Sequence, residues 1–266
     1  MTLVVCDVDG TLVDKEKKLT DATIAAVGRL RAAGFGFTIV SARPMSGMMP
    51  IADRLAIDLP MGAFNGGIVF SRDGGVASRA TIDPAVARGI IALAGDAAVD
   101  RWVFAGDTWY ASTDRGPHVP HERIASNQAP VVREDVADLL DRADKITFVS
   151  DDAALLRDLH DRAAARFGDA ATIVQSQTYY LDVTARAANK GDGIAALAKA
   201  AGVALDRTIA IGDQANDIAM FDRAGRAIAM GNATDAVKAA ADDVTTANDA
   251  DGVAHAIDTL ILGRMM

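Results

Sequence analysis

The sequence predicts an α/β protein whose core is a doubly wound parallel sheet interrupted by an α+β insert. A buried strand, a helix and a second strand follow one another within about forty residues at the N-terminus, which suits a parallel crossover unit. The same alternation returns in the C-terminal third, whereas the middle of the chain shows a hairpin pattern. We therefore place the core domain at 1–81 and 187–266 and the inserted domain at 82–186.

The N-terminal elements have clear boundaries. A short, largely apolar run rich in β-branched residues predicts a buried strand over 3–8. A helix is expected over 20–33, with Thr20 as its N-cap and Gly34 ending it. The next strand is predicted over 35–42.

The remaining elements follow the same signals. In the C-terminal part we predict helices over 190–201, 218–224 and 234–241, and strands over 207–213 and 226–231. In the insert we predict helices over 84–93 and 153–167, and strands over 101–106, 108–113, 145–150, 171–176 and 179–184. A polar, proline-containing stretch from Pro117 to Pro130 is expected to be a loop followed by a short helix. Its residues His118, His121, Glu122 and Arg123 can contact a substrate or simply be solvated.

Composition excludes several classes of partner. The net charge is -9 and there is no basic block, so a nucleic-acid partner is not expected. No apolar run is long enough to span a bilayer, and the N-terminus lacks the features of a signal peptide. Cys6 is the single cysteine, which excludes an internal disulfide and fits a cytoplasmic protein. We interpret Cys6 as a small buried residue rather than a nucleophile.

Polar side chains follow the predicted strands of the core, at the sheet edge where open α/β sheets bind ligands. They are Asp7, Asp9, Ser41, Arg43, Asn65, Asp213, Asn216 and Asp217. Two carboxylates ~4 Å apart repel each other by about 4 kcal/mol at an effective dielectric constant of about 20. Several ionised carboxylates at one place therefore need a cation, and carboxylate oxygens suit Mg2+. The pattern predicts that Asp7 and Asp9 share a Mg2+ ion, with Asp213 as the best further ligand.

The residues around this predicted metal site are typical of phosphate binding. The Ser41 hydroxyl and nearby backbone N–H groups can donate to a phosphate, and Lys190 begins a predicted helix whose dipole favours an anion. Gly10 permits the tight turn that aims backbone donors inward. Asp7 is then the natural nucleophile for phosphorus, and Asp9 is placed to act as general acid and base.

Four segments resemble, in order, the four motifs of the haloacid dehalogenase (HAD) superfamily of phosphatases: DVDGT at 7–11, SAR at 41–43, NKG at 189–191 and GDQAND at 212–217. Four more resemble its Cof-type subgroup: NGG at 65–67, AIAMGNA at 227–233, ADDVT at 241–245 and NDADGVAHAI at 248–257. The resemblance implies a Rossmann-like core with an inserted α+β cap of type IIB that closes over the site. SAR stands where many relatives have TGR, and NGG where NGA is common.

The resemblance also implies a role for each matched catalytic residue. It makes Asp7 the nucleophile that forms an aspartyl-phosphate, and Asp9 the general acid and base. Ser41 is expected to bind the transferring phosphoryl group. Lys190 is expected to neutralise charge on that group and on Asp7.

The metal and substrate positions follow from the same resemblance. Asp213 is expected to bind Mg2+ together with Asp7 and the backbone carbonyl of Val8, and Asp217 to support the metal through water. The predicted phosphate-binding and substrate-binding positions are Val8, Gly10, Ala42, Arg43, Asn65, Gly66 and Asn216.

The sequence thus predicts an enzyme, a Mg2+-dependent phosphomonoester hydrolase acting on small phosphorylated metabolites. Sugar phosphates are the first expectation, followed by pyridoxal phosphate or a nucleotide. Two alternatives stay open: a phosphomutase or phosphotransferase with a sugar hydroxyl as acceptor, and a non-catalytic sensor of a phosphate ligand. The expected partner is the small-molecule substrate, and the chain is expected to be a monomer or a homodimer.

Overall fold

The structure is a computed structural model that describes residues 1–264; the last two residues of the predicted core domain lie outside the described residues. The chain forms two compact units. Unit 1 comprises Met1–Ala42, Met48–Ser78 and the residues from Asn189 onward, and unit 2 comprises Arg43–Gly47 and Arg79–Ala188.

The strands belong to three sheets. In chain order they are β1 (Leu3–Cys6), β2 (Gly36–Ile39), β3 (Met61–Ala63), β4 (Ile68–Phe70), β5 (Val76–Arg79), β6 (Asp100–Ala105), β7 (Thr108–Ala111), β8 (Val131–Val132), β9 (Ala143–Val149), β10 (Ala171–Gln177), β11 (Tyr180–Ala185), β12 (Thr208–Gly212), β13 (Arg226–Ala229) and β14 (Asp243–Val244).

The helices connect these strands. The α-helices are α1 (Asp21–Ala32), α2 (Met45–Arg54), α3 (Pro84–Ala94), α4 (Val119–Ser126), α5 (Ala153–Phe167), α6 (Lys190–Ala200), α7 (Ile218–Phe221), α8 (Asp235–Ala239) and α9 (Gly252–His255). Short 3-10 turns lie at Phe64–Gly66, Ala137–Leu139, Leu205–Arg207, Ala215–Asp217 and Asn248–Ala250, and a π-helix spans Ala256–Leu262. Within the described residues no helix is both long and apolar enough to cross a membrane.

Unit 1 contains a five-stranded parallel sheet in the order β14-β13-β12-β1-β2, which confirms the predicted doubly wound core. From β1 the chain adds β2 on one side and later β12 on the other, so the strand order reverses beside β1. Such a reversal opens a crevice at the carboxyl ends of the strands. A small sheet of β3, β4 and β5 completes the unit.

The strands of this sheet are shorter than the sequence predicts. The β1 strand ends at Cys6 rather than at residue 8, because the chain leaves the ladder after the Asp7 N–H donates to the Ile211 carbonyl (2.9 Å). Leu3 and Val5 pack with Ile194 of α6 in a common core, so the sheet fixes the position of that helix.

The α1 helix follows its predicted boundaries closely. Thr20 is its N-cap, and the Thr20 hydroxyl accepts a hydrogen bond from the Thr23 N–H. Gly34, just beyond the helix, has φ +86°, the left-handed conformation that glycine adopts at helix ends.

Unit 2 is built on a six-stranded sheet in the order β10-β11-β9-β6-β7-β8. The predicted hairpin is present: β6 and β7 pair antiparallel through Gly106 and Asp107, both with φ +63°. Two positive φ angles suit the twist of a two-residue hairpin loop. Apolar residues of α3, α5 and the sheet form the core, among them Val86, Leu156 and Ile146.

One predicted loop of unit 2 is wrong. The polar stretch after Pro117 contains α4, with His118 as N-cap and Pro120 in the first turn. Proline is tolerated there because the first-turn N–H groups have no intrahelical partner. Glu122 is buried on this helix rather than lying in a solvated loop. The short helix expected after the loop is a single 3-10 turn, Ala137–Leu139.

Candidate active site

The carboxyl ends of β1 and β12 bring the first aspartates of the site together. These strands are parallel neighbours, with Cys6 beside Ile211. Asp7 and Asp213 follow them directly, and both side chains are buried. The predicted meeting of strand-end carboxylates is therefore observed in unit 1.

Lys190 joins the site from the first residue of α6. Its Nζ donates to Asp7 Oδ1 at 2.6 Å and to Asp217 Oδ1 at 2.5 Å. The side chain of Lys190 is 2% exposed, and those of Asp7 and Asp217 are 5% and 0% exposed. Asn189 caps the helix by accepting a hydrogen bond from the Asp192 N–H. This cap fixes where α6 begins and so where Lys190 lies.

Asp213 is held by three side-chain donors. Thr11 Oγ1 donates to Asp213 Oδ1 at 2.8 Å. Gln214 Nε2 and Asn232 Nδ2 donate to Asp213 Oδ2 at 3.0 and 3.3 Å. Sequence reasoning did not single out these three donors, although each lies inside a motif quoted above. Their positions within DVDGT, GDQAND and AIAMGNA could have indicated that they lie near the site.

Position 10 lies so close to the Asp213 carboxylate that only glycine fits there. It has φ +84°, and a Cβ added there would lie 2.4 Å from Asp213 Oδ2. Its carbonyl accepts from Asn232 Nδ2 at 2.9 Å. A side chain at this position would both strain the backbone and displace the carboxylate.

Asp217 orients the turn that follows β12. Its Oδ2 accepts from the backbone N–H groups of Asp213 and Gln214, both at 2.8 Å. A Cβ on Gly212 would lie 2.4 Å from Asp217 Cγ, so the carboxylate packs directly against the Gly212 backbone. Asp217 thereby links Lys190 to the backbone carrying Asp213.

Ligand oxygens from Asp7, Asp213 and Asp217 all lie within 4.8 Å of one another. Burial raises the pKa of Asp7 to about 8, although the Lys190 ammonium acts in the opposite direction. Asp217 and Asp213 add to this rise. Burial also raises the pKa of Asp213, against the hydrogen bond from Thr11.

Lys190 stays charged in this environment. Burial alone would lower the pKa of Lys190, but the carboxylates of Asp217 and Asp7 outweigh it and raise the pKa above its usual value. The ammonium contacts Asp7 and Asp217, and Asp213 lies in the same carboxylate group, so three carboxyl groups share one lysine. When ionised they exceed its single positive charge, which makes the cluster a fit for an oxygen-preferring divalent cation. The residues present fit Mg2+, with Asp7, Asp213 and Asp217 as the carboxylates that would hold it.

Asp9 and the Val8 carbonyl, both predicted to contact the metal, have protein partners in the loop after β1. Within the described residues, the carboxylate group that could hold a metal does not include Asp9, whose Oδ1 accepts from Lys17 Nζ at 2.7 Å. The Val8 carbonyl accepts from the backbone N–H groups of Leu12 (2.9 Å) and Val13 (3.1 Å).

Ser41 and the NGG segment lie beside the site in unit 1. The Val40 N–H donates to the Cys6 carbonyl at 3.0 Å, which places Ser41 next to the end of β1. The Asn65 N–H donates to the Ser41 carbonyl at 2.7 Å, and Asn216 Nδ2 contacts Asn65 Oδ1 at 3.4 Å. Ser41 is buried and the neighbouring Ala42 is partly buried.

The turn that carries Asn65 is conformationally unusual. Phe64, Asn65 and Gly66 have φ of +48°, +59° and +89°. A Cβ on Gly66 would lie 2.3 Å from the Gly193 Cα, so α6 approaches this turn at backbone distance. Consecutive left-handed residues store strain of the kind that clusters at ligand-binding turns.

Two other predicted residues have local partners. Arg43 groups with unit 2, where it is buried and its Nη1 donates to the Gly47 carbonyl at 3.2 Å. The Cys6 thiol is fully buried, donates to the Asp7 carbonyl at 3.1 Å, and has a pKa raised by burial. These contacts fit the packing interpretation of Cys6.

The parallel-sheet core and the buried carboxylate–lysine cluster define an α/β protein with a candidate metal-binding active site, and comparison with known proteins gives its family. The family described as haloacid dehalogenase-like hydrolase matches residues 4–257. The pyridoxal phosphate phosphatase YbhA of Escherichia coli is 27% identical over 265 residues, covering 96% of this chain and 97% of that protein.

Solved structures show the same architecture. A haloacid dehalogenase-like hydrolase from Bacteroides thetaiotaomicron is 26% identical with a TM-score of 0.89, covering 97% of this chain and 99% of that one. The HAD subclass IIB sugar phosphatase BT4131 is 24% identical with a TM-score of 0.83, covering 98% of this chain and 99% of that one. At that identity the second structure supports the fold alone.

The chain belongs to the haloacid dehalogenase-like hydrolase family. The family match and the named phosphatases among its relatives confirm the predicted resemblance to the Cof-type subgroup and the assignment as a phosphoric monoester hydrolase. The type IIB assignment of the inserted domain stays a prediction.

Proposed function

We propose that the protein is a Mg2+-dependent phosphomonoester hydrolase that works through an aspartyl-phosphate on Asp7. The observation that carries this proposal is the buried ion pair of Lys190 with Asp7 and Asp217, beside Asp213 at the strand ends. This arrangement presents a carboxylate nucleophile next to a fixed positive charge. Such preorganised charge is the main device by which phosphoryl transfer is accelerated.

The first half of the reaction transfers the phosphoryl group to the protein. An Asp7 carboxylate oxygen forms a bond to phosphorus while the bond from phosphorus to the leaving oxygen breaks. Asp9 gives its proton to that leaving oxygen, which departs as an alcohol. Lys190 and the Ser41 hydroxyl offset the charge on the phosphoryl oxygens.

The second half regenerates the enzyme. A water oxygen bonds to phosphorus, the bond from Asp7 to phosphorus breaks, and one water proton passes to Asp9. The products are one alcohol and inorganic phosphate, and the net reactant besides the ester is one water. When bound, Mg2+ would supply positive charge against the phosphate and the carboxylates of Asp7, Asp213 and Asp217.

The remaining predicted positions have supporting roles in this proposal. Gly10 shapes the loop after Asp9. Asn65 and Gly66 form the turn beside Ser41, and Asn216 contacts Asn65 from the turn after β12. Unit 1 is the proposed catalytic domain. The assignment of unit 2 as a cap that shapes selectivity stays a prediction from the resemblance, and so does the cytoplasmic location.

Small phosphorylated metabolites are the proposed substrates, with sugar phosphates first. Named relatives support this range, since one is a pyridoxal phosphate phosphatase. The acidic chain, with net charge -9, gives no reason to expect a nucleic-acid substrate.

Phosphate release tests the proposal. Wild type and Asp7→Asn are compared on a panel of sugar phosphates, nucleotides and pyridoxal phosphate, with Mg2+ or with EDTA. We expect Mg2+-dependent release that falls by about 10³-fold or more in the variant. Isomerisation of a sugar phosphate without phosphate release would point to a mutase. Binding without turnover of any compound by the folded protein would point to a sensor.

A further inference from the structure

The second aspartate of the DVDGT motif has a specific partner in the loop that follows it. Lys17 Nζ donates to Asp9 Oδ1 at 2.7 Å. The pair is partly buried, with side-chain exposures of 26% for Lys17 and 32% for Asp9. Sequence reasoning gave Lys17 no role, because it lies outside every motif quoted above.

A hydrogen-bonded backbone turn places the Lys17 side chain beside Asp9. The Lys17 N–H donates to the Asp14 carbonyl at 3.1 Å, and the Asp14 N–H donates to the Lys18 carbonyl at 3.0 Å. The Lys18 N–H also donates to Asp14 Oδ1 at 2.8 Å. These bonds close a tight turn over residues 14–18.

Lys17 adopts an unfavourable backbone conformation in this turn. Its φ is +62°, in the left-handed region that residues other than glycine rarely adopt. Glycine would adopt this conformation readily, yet it would also remove the ammonium that reaches Asp9. Retained backbone strain of this kind points towards a functional constraint.

We propose that Lys17 is a positioning residue that holds the Asp9 carboxylate in line for proton exchange. The inference rests on the proposed function. Asp9 is a carboxylate between the two half-reactions, after it has protonated the leaving oxygen and before it takes a proton from water. In that interval the Lys17 ammonium keeps one Asp9 oxygen in a fixed place, so that the carboxylate is already oriented when water attacks.

A neighbouring ion pair provides a matched control. Lys15 Nζ lies 2.5 Å from Asp249 Oδ2, with side-chain exposures of 72% and 44%. An exposed pair of this type contributes little to stability and touches none of the site residues described above. Lys15→Met therefore removes one lysine and one ion pair from the same loop while leaving Asp9 untouched.

The test is a double-mutant cycle with para-nitrophenyl phosphate and one alkyl phosphomonoester as probes. The proteins are wild type, Lys17→Met, Lys17→Arg, Lys15→Met, Asp9→Asn and the Asp9→Asn/Lys17→Met double variant. For Lys17→Met we expect kcat to fall about tenfold while KM changes less than about twofold. Acid-quenched samples are expected to contain a larger phosphorylated fraction, because hydrolysis of the aspartyl-phosphate is the slowed step.

The other variants separate positioning from simple structural support. Lys17→Arg is expected to recover most of kcat, and Lys15→Met to behave as wild type. In the Asp9→Asn background, Lys17→Met is expected to have no further effect, since its action passes through Asp9.

Three results would overturn the inference. They are an unchanged kcat in Lys17→Met, an equal loss from Lys17→Met in the Asp9→Asn background, or a rise in KM alone, which would mean direct contact with the phosphate. In each case an active wild type would leave the proposed function standing. A wild type that releases no phosphate from any probe would overturn both.

Discussion

Lys190 in unit 1 and Lys145 in unit 2 are both buried, but their surroundings differ. Lys190 Nζ contacts two carboxylates at 2.6 and 2.5 Å. Lys145 Nζ lies 3.5 Å from Asp182 Oδ1 and 5.1 Å from the centre of the Phe104 ring. One lysine is the centre of a tight charge cluster, whereas the other makes one longer ion pair and a cation–π contact.

The difference lies in how the neighbours are assembled. Asp7, Asp217 and Lys190 come from three separate parts of the chain and meet where strands end and a helix begins. Lys145 and Asp182 lie on adjacent antiparallel strands, so ordinary sheet register brings them close. Convergence of separate chain segments, rather than burial of a charge, distinguishes the candidate active site.

Replacing each lysine in turn should affect stability very differently in the two units. Lys190→Met would leave two buried carboxylates without their ammonium, so we expect the free energy of unfolding to fall by about 3–5 kcal/mol. Lys145→Met is the matched control, with an expected loss of about 1 kcal/mol or less, because its ion pair is longer. Urea unfolding with EDTA present measures both. Equal losses in the two variants would contradict the distinction.

The pH dependence of stability sharpens the same contrast. The pKa of Asp7 is raised in the folded protein to about 8, so between its ordinary value and about 8 the folded state holds a proton that the unfolded state releases. The Asp7 contribution to the free energy of unfolding is therefore largest at low pH and is lost as pH rises towards 8. We expect this fall in EDTA, measured by urea unfolding across that range.

Two controls accompany the pH series. Asp7→Asn removes the titrating group and should remove that part of the slope. Added Mg2+ should reduce the slope, because a cation favours the ionised carboxylate. A slope that is the same in wild type and Asp7→Asn would mean that another group controls it.

The sequence was informative where chemistry follows element boundaries. Asp7 and Asp213 end strands and Lys190 begins a helix, so their meeting could be predicted from the parallel-sheet pattern. The contacts of Lys17 and Asn232 could not, because they depend on how loops fold back. The α4 helix was missed because Pro120, which fits a first helical turn, also signals a loop.

The turn behind the site gives the next effect in size. Gly212→Ala would place a methyl group against the Asp217 carboxylate, where the added Cβ would lie 2.4 Å from Cγ. We expect a loss of about 1–3 kcal/mol in the free energy of unfolding, together with reduced phosphate release. Gly28→Ala is the control: Gly28 lies within α1 with nothing within 4 Å of an added Cβ. For this control we expect the free energy of unfolding to rise by roughly 0.5–1 kcal/mol. A neutral Gly212→Ala would contradict the close packing.

The smallest effect is expected in unit 2. The buried hydroxyl of Tyr180 has no hydrogen-bond partner within the described residues. Tyr180→Phe should therefore leave the free energy of unfolding unchanged or raise it by less than about 1 kcal/mol. Thr147→Val is the contrasting variant, since it removes a hydroxyl that donates to Asp182 Oδ1 at 2.6 Å, and should cost about 1 kcal/mol or more. A substantial loss in Tyr180→Phe would show that its hydroxyl is hydrogen-bonded.

Chemical trapping of the phosphorylated residue identifies the nucleophile. The protein is quenched while it turns over a phosphomonoester in the presence of Mg2+. It is then reduced with borohydride, digested and analysed by mass spectrometry. Reduction converts an aspartyl-phosphate to homoserine, so we expect homoserine at position 7 in wild type and none without substrate. Full phosphate release with an unmodified Asp7, or homoserine at another aspartate, would contradict it.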